Sequence, residues 1–313
     1  MSGARTTATA FAPASVGNVA VGFDILGHTV AALGDRVTVT RRGKPGVSIR
    51  SIRGVVADLP LAAEKNTAGM AALALQRDLD LDYGFDLDVI KGIPLGSGLG
   101  GSAASAVAAV VAAAALVDRP LDRTQLLKFA MQGEAVASGS VHVDNIAPSL
   151  FGGLVLTVGI DNPHVKQVPV PDAVRCVIVH PHMVLGTREA RAILSPTVPL
   201  ADVIWQQANL AGFLAGCYTS DLPLIRASLL DVVIEPQRQK LIPGFAAVKQ
   251  AALDAGALGC SISGAGPTVF AWTEQRDADE VRAGMVEAFR KHGLATDSWT
   301  STIDREGARL VEA

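Results

Sequence analysis

Threonine and alanine alternate through residues 5–11, and valine and threonine repeat that period through 36–40; each pattern predicts a strand with one buried face. Residues 66–75 shift to a helical period. Residues 85–90 (FDLDVI) alternate strictly again, as a half-buried strand does, and run directly into IPLGSGLGGSAAS. Beyond that loop, Val107, Val110, Val111 and Ala114 share one stripe of an alanine-rich buried helix. Asp122 and Gln125 read as a capping box for the next helix, through Leu126, Leu127, Ala130 and Met131. A strand at 152–158 (GGLVLTV) closes this half.

Asp161-Asn162-Pro163 is a turn-rich break, so the chain divides into an expected domain at 1–160 and a second at 161–313. The second half predicts a strand at 175–179 and helices at 187–194, 200–217 and 244–255. A strand pair follows at 261–262 and 268–272, then a helix with Val281, Met285 and Phe289 in register that stops at Gly293. This order fits mixed α+β layers.

Composition narrows the class. A chain of 313 residues holds about two domains at ~100–200 residues each. With 49% hydrophobic and 18% charged residues it is a folded protein. Lys and Arg number 27 against 30 Asp and Glu, and a net charge of -3 offers no basic footprint for nucleic acid. Cys176, Cys217 and Cys260 are odd in number and far apart, which fits thiols in a reducing cytoplasm. The alanine run at 103–117 is too short and weakly apolar for a membrane span, and residues 1–15 lack the apolar core of a secretory signal.

The candidate chemistry starts at residues 91–105, KGIPLGSGLGGSAAS. Glycines between a strand end and a helix start bring backbone N–H groups close to a ligand, and the helix N-terminus adds positive potential, so the loop suits phosphate. A tight strand-to-helix turn with no ligand would look the same. No Gly-Lys-Ser/Thr of a Walker loop occurs there, and the dinucleotide spacing of Gly96, Gly98 and Gly101 stands without a downstream acid. Glu134 lies on the apolar stripe of its helix, where an acid is costly unless a cation or a lysine faces it.

Three segments together, APASVGNVAVGFDILG at 12–27, PLGSGLGGSAAS at 94–105 and SISGAGPTVFA at 261–271, resemble the three motifs of the galactokinase, homoserine kinase, mevalonate kinase and phosphomevalonate kinase (GHMP) superfamily. SGSVHVDNIAPSLFGG at 138–153, TREARAILSP at 187–196 and EPQRQKLIPGF at 235–245 are similar to its homoserine-phosphorylating members. The resemblance implies an α+β fold of two domains, an N-terminal ribosomal-protein-S5-like α/β domain that binds ATP and a C-terminal ferredoxin-like α+β domain. It implies ATP-dependent phosphorylation of the L-homoserine side-chain hydroxyl in threonine biosynthesis, with Mg2+, a cytoplasmic homodimer and threonine as a possible feedback inhibitor. No membrane or nucleic-acid partner is implied.

Residue by residue, the resemblance places ATP against Asn66, Pro94, Leu95, Gly96, Ser97, Gly98, Leu99, Gly100, Gly101, Ser102 and Ala103, and Mg2+ on Ser102 and Glu134. It places the amino acid against Asn18, Asp24, His142, Asp144, Thr187, Arg191 and Arg238, with Asp144 and Asn145 at the reacting hydroxyl. The residue types agree: two carboxylates suit an ammonium and two arginines a carboxylate, the two ends of a zwitterion. Thr187 and Arg191 share one helix face. Duller readings exist for each, turn-capping for Asn18 and Asp24 and surface ion pairs for the arginines. Gly101 stands where the superfamily usually has a serine. Asp144 is either a base or only an orienting group. A related kinase for another small molecule, a non-catalytic sensor of ATP and an amino acid, and a dinucleotide oxidoreductase are the rival functions.

Overall fold

The computed structural model describes residues 5–138, 142–159 and 162–312. In the first half β1 (Thr7–Gly17), β2 (Leu26–Arg42), β3 (Val47–Gly54), α1 (Thr67–Asp78), β4 (Gly84–Lys91), α2 (Gly101–Ala114), α3 (Arg123–Ser138), α4 (Val143–Phe151), β5 (Leu154–Val158) and β6 (His164–Val168) follow in order. The second half runs β7 (Val174–Pro181), α5 (Thr187–Ala192), α6 (Leu200–Thr219), α7 (Leu222–Ser228), α8 (Glu235–Arg238), α9 (Phe245–Asp254), β8 (Gly259–Ile262), β9 (Val269–Glu274), α10 (Ala278–Lys291), β10 (Thr296–Ser301) and β11 (Arg309–Val311).

One sheet has the order β11-β1-β2-β4-β3, with β5 on the other end of β2 and β6 beyond it. β2 serves two neighbours on the edge away from β1 because it is long: residues 36–42 pair with β4 and residues 26–28 with β5. The β1–β2 register jumps between Pro13 and Ala14, which bends the pair so that its Gly17 end reaches the second sheet. β6 and β11 belong to this first sheet although they follow the turn-rich break in sequence. That break begins at Asp161, outside the described residues, as do residues 139–141 of the segment SGSVH.

α2 is the buried helix its alanines predict. Ala103, Ala106, Val107 and Val110 have no solvent exposure, since small side chains let α2 settle among α1, α3 and the sheet. Burying Val107 and Val110 contributes about 1.5–3 kcal/mol each. The capping box forms as read, with Asp122 N donating to Gln125 Oε1 at 3.0 Å and Gln125 N to Asp122 Oδ1 at 2.8 Å.

The second sheet, β10-β7-β9-β8, is antiparallel throughout. Alternate residues of its strands face opposite ways. Val177 and Val179 pack under α9 and α10, with Phe245, Val248, Val281, Met285 and Phe289. Cys176, Ile178, Phe270 and Trp272 face the core of the first sheet. There Trp272 Nε1 donates to His28 Nε2 at 3.0 Å, and His28 Nδ1 donates to the Thr29 carbonyl at 2.9 Å. Both ring nitrogens are thus committed to the neutral tautomer, and burial holds the His28 pKa down at about 4. This is the expected α+β architecture, two sheets joined by one shared core.

Candidate active site

The loop between β4 and α2 is pressed between the two sheets. Gly96, Gly98 and Gly100 have φ of 62°, 77° and 66°. A Cβ on Gly98 would stand 2.5 Å from the Ser263 carbonyl, and one on Gly100 would stand 2.2 Å from Ser15 Oγ. Only glycine permits both the left-handed backbone and that approach. Ser263 Oγ donates to the Gly98 carbonyl at 2.7 Å and Thr268 N to the Ser97 carbonyl at 3.2 Å, so the SISGAGPTV turn clamps the loop from the second sheet. Gly100 caps α2 with no side-chain acceptor, which leaves the first N–H groups of the helix for an anion.

Below the loop lies a buried network that the reading of the sequence passed over. Lys91 Nζ is paired with Asp35, and donates to the Gly101 carbonyl at 2.7 Å and to Ser105 Oγ at 2.8 Å. Ser105 Oγ and Gly92 N complete the shell of Asp35. The ammonium therefore ties the start of α2 to the end of β4. The signal in the sequence was a lysine closing an apolar strand, which needs a partner when buried.

A cleft of about 570 Å³ opens over the loop. It gathers Asn18, Asp24, Asn66, Pro94, Leu95, Gly96, Ser97, Gly98, Gly100, Gly101, Ser102, Glu134, His142, Asp144, Asn145, Thr187, Arg191 and Arg238 from separate stretches of sequence onto one surface. Leu99 and Ala103 do not line it. Both are fully buried because apolar side chains flanking the loop pack beneath it. Asn66 lines the cleft, but its side chain is committed: Oδ1 caps α1 at Ala68 N and Gly69 N, and Nδ2 donates to the Pro60 carbonyl at 3.0 Å.

At the α2 end of the cleft Ser102 Oγ donates to Glu134 Oε1 at 2.9 Å, with His142 Nδ1 3.7 Å from the same oxygen. The Glu134 contact and the charge of Asp144 raise the His142 pKa against the opposing effect of burial. Among the described residues no cluster of three or more His, Cys, Asp or Glu side chains could hold a metal.

The opposite wall of the cleft is made of side chains. Asn18, Val19 and Ala20 form a left-handed turn, φ 68°, 45° and 56°, and Asp24 is left-handed as well at 62°. Asn18 holds this turn in place: Nδ2 donates to the Gly264 carbonyl at 2.8 Å and Oδ1 accepts from Asp24 N at 3.0 Å. Asp144 is 2% exposed, and its Oδ1 has no hydrogen-bond partner among the described residues. Burial, then the charge of Asp24, push its pKa up to about 6. Asn145 Oδ1 accepts from Ser15 Oγ at 3.0 Å. Arg238 points Nε at the Ala190 carbonyl and Nη1 at the Gly264 carbonyl, 2.9 and 3.0 Å away. Arg191 forks onto Asp24, at 2.7 and 2.9 Å. Phe23, to which the sequence reading gave no role, lies beside both guanidinium groups, 5.0 and 5.1 Å from its ring centre.

Known proteins are similar to this chain over nearly its whole length. Residues 66–153 match the GHMP kinases N terminal domain and residues 213–291 the GHMP kinases C terminal domain. Homoserine kinase of Xylella fastidiosa is 52% identical over 97% of this chain and 94% of its own length. That of Chlorobium phaeovibrioides is 44% identical over 96% and 98%. The crystal structure of homoserine kinase from Cytophaga hutchinsonii superposes with a TM-score of 0.95 at 42% identity, covering 99% of both chains. With both domains matched and its relatives aligned almost end to end, the chain belongs to the homoserine kinases of the GHMP kinase family and uses ATP to phosphorylate homoserine on the path to threonine.

Proposed function

We propose that Asp144 and Asn145 orient the homoserine hydroxyl in line with the ATP γ-phosphorus, and that Asp144 takes its proton as the oxygen attacks. The new bond runs from the substrate oxygen to phosphorus; the bond from phosphorus to the bridging β-phosphoryl oxygen breaks, ADP leaves, and the proton rests on the Asp144 carboxyl. The observation that carries this reading is the buried Asp144 carboxylate with an unbonded oxygen and a pKa near 6, within the same cleft as the phosphate loop. A base works best with a pKa close to the operating pH. The loop amides of residues 96–102 and the α2 N-terminus take the triphosphate, because a loose transition state asks mainly for positioning and charge neutralisation.

Ser102 and Glu134 would hold Mg2+. Two adjacent hard oxygens are what this ion takes from a protein when phosphates and waters fill its other positions. When bound it neutralises charge on the β- and γ-phosphoryl oxygens. Asp24 receives the substrate ammonium, Arg191 and Arg238 its carboxylate, and Asn18, Thr187 and His142 shape the pocket. Threonine, a zwitterion bearing a hydroxyl, competes for the same place. Asn66 and the exposed side chain of Leu95 border the adenine.

In this reading the working units are residues 1–160 and 161–313, with β6 and β11 of the second unit returned to the first sheet. Two copies pair through α6, whose Leu200, Ile204, Trp205 and Tyr218 are each more than half exposed. Among the described residues no helix is long and apolar enough to cross a membrane; a cytoplasmic place goes with the proposed biosynthetic role. Steady-state kinetics of Asp144→Asn against pH test the central step. The expected result is a fall in kcat of about 10²–10⁴-fold with loss of the acidic limb near pH 6. Retention of most of kcat with a raised KM would leave Asp144 as an orienting group only.

A further inference from the structure

Asp24 and Arg191 were each expected to bind one end of the substrate, yet here they bind each other. The fork is bidentate, at 2.7 and 2.9 Å, and each side chain is 41% exposed. Its surroundings give it more weight than a surface pair. Asp24 sits close enough to the buried Asp144 to raise its pKa, and Arg191 close enough to Arg238 to help lower that of Arg238. The site thus contains two like-charged pairs, and the Asp24–Arg191 fork is the cross-link that makes the four charges tolerable together.

We propose that this fork is a gate selective for zwitterions: the amino acid enters by ion-pair exchange, its ammonium replacing Arg191 at Asp24 while its carboxylate replaces Asp24 at Arg191. The inference rests on the substrate orientation proposed above. A ligand with a carboxylate alone takes Arg191 but strands Asp24 beside Asp144. A ligand with an ammonium alone takes Asp24 but strands Arg191 beside Arg238. Only a molecule carrying both charges repairs what it breaks, so discrimination comes from the groups left behind as well as from the contacts made. Phe23, packed against both guanidinium groups, keeps the released Arg191 within reach of the pocket.

Isothermal titration calorimetry of the full chain tests this with L-homoserine, γ-hydroxybutyrate, which lacks the ammonium, and propanolamine, which lacks the carboxylate. Asp24→Asn should weaken homoserine at least about tenfold, yet strengthen γ-hydroxybutyrate by about three- to tenfold over wild type, because Arg191 no longer has to be freed. Arg191→Gln should mirror this, weakening homoserine and strengthening propanolamine by a similar factor. Weaker homoserine with no gain for either single-charge ligand overturns the gate and leaves the substrate orientation standing. Unchanged homoserine binding in both variants overturns that orientation, and the gate with it. Neither side chain is buried, so both variants should fold; as a second measurement, a crystal structure with homoserine bound and the fork still closed also overturns the gate.

Discussion

On the phosphate side of the cleft the groups that face the ligand are main-chain amides of one continuous loop, fixed by glycines whose missing Cβ lets two sheets close on them and by an ion network sealed beneath. On the amino-acid side they are side chains from the turn after β1, from α4, α5 and α8, and the central ion pair is two-fifths exposed. In the proposed reading the first wall meets a phosphate shape common to many substrates, which a local and tightly supported loop can do. The second would meet a particular pattern of charge, which takes side chains assembled from distant parts.

If the phosphate wall is rigid because of its buried support, Lys91→Met should be the most damaging change. It strands Asp35 without its cation, and the expected loss is about 3–5 kcal/mol in chemical denaturation. A loss under about 1 kcal/mol would show that the network is not the support.

His28, joined to Trp272 across the two sheets, makes the stability of their shared core depend on pH. Its folded pKa is lowered from 6.5 to about 4. The unfolded chain therefore binds more protons in that window, stability falls as pH drops from 6.5 toward 4, and the penalty is complete below it. The full contribution is about 3 kcal/mol. Urea denaturation of wild type and His28→Phe at pH 7 and pH 5 checks this: the variant starts less stable, because Trp272 Nε1 loses its acceptor, but should show a flatter pH dependence.

Gly98→Ala tests the main chain directly. The new Cβ would meet the Ser263 carbonyl at 2.5 Å in a left-handed backbone, and a loop shifted by about 1 Å should cost about a hundredfold in kcat/KM for ATP. Gly101→Ser is the smallest expected effect. Its Cβ would find Ile93 Cγ2 at 3.3 Å and Lys91 Nζ at 3.6 Å, in an ordinary helical backbone, so the serine usual in the superfamily should fit with less than about a threefold change in KM for ATP.

The same contrast explains what could be read from the sequence. The phosphate loop was legible because glycine spacing, a strand end and a helix start lie within fifteen consecutive residues. The alanine helix and the capping box at Asp122 were legible for the same local reason. The amino-acid residues had no pattern of their own and became a set only through likeness to a family, since what unites Asp24 with Arg191 is the packing of two sheets. Short strands such as β11 and the proline-containing α4 escaped notice because three residues carry no period and Pro148 argues against a helix locally. Phe23 was hidden in plain view, an aromatic inside a motif whose glycines and acid drew the attention.

The left-handed turn at Asn18, Val19 and Ala20 places a limit on how the molecule could be divided. Side chains make this conformation costly, about 1–2 kcal/mol for each residue, and one of the three is β-branched. Bonds within the turn, from Asp24 N to Asn18 Oδ1 and from Gly22 N to the Asn18 carbonyl, compensate in part; the Asn18 amide and the Gly17 carbonyl find their other partners at Gly264, on the far sheet. A severed half of this enzyme could keep its strands and its helices and still possess no recognisable pocket, because specificity here is a property of the seam.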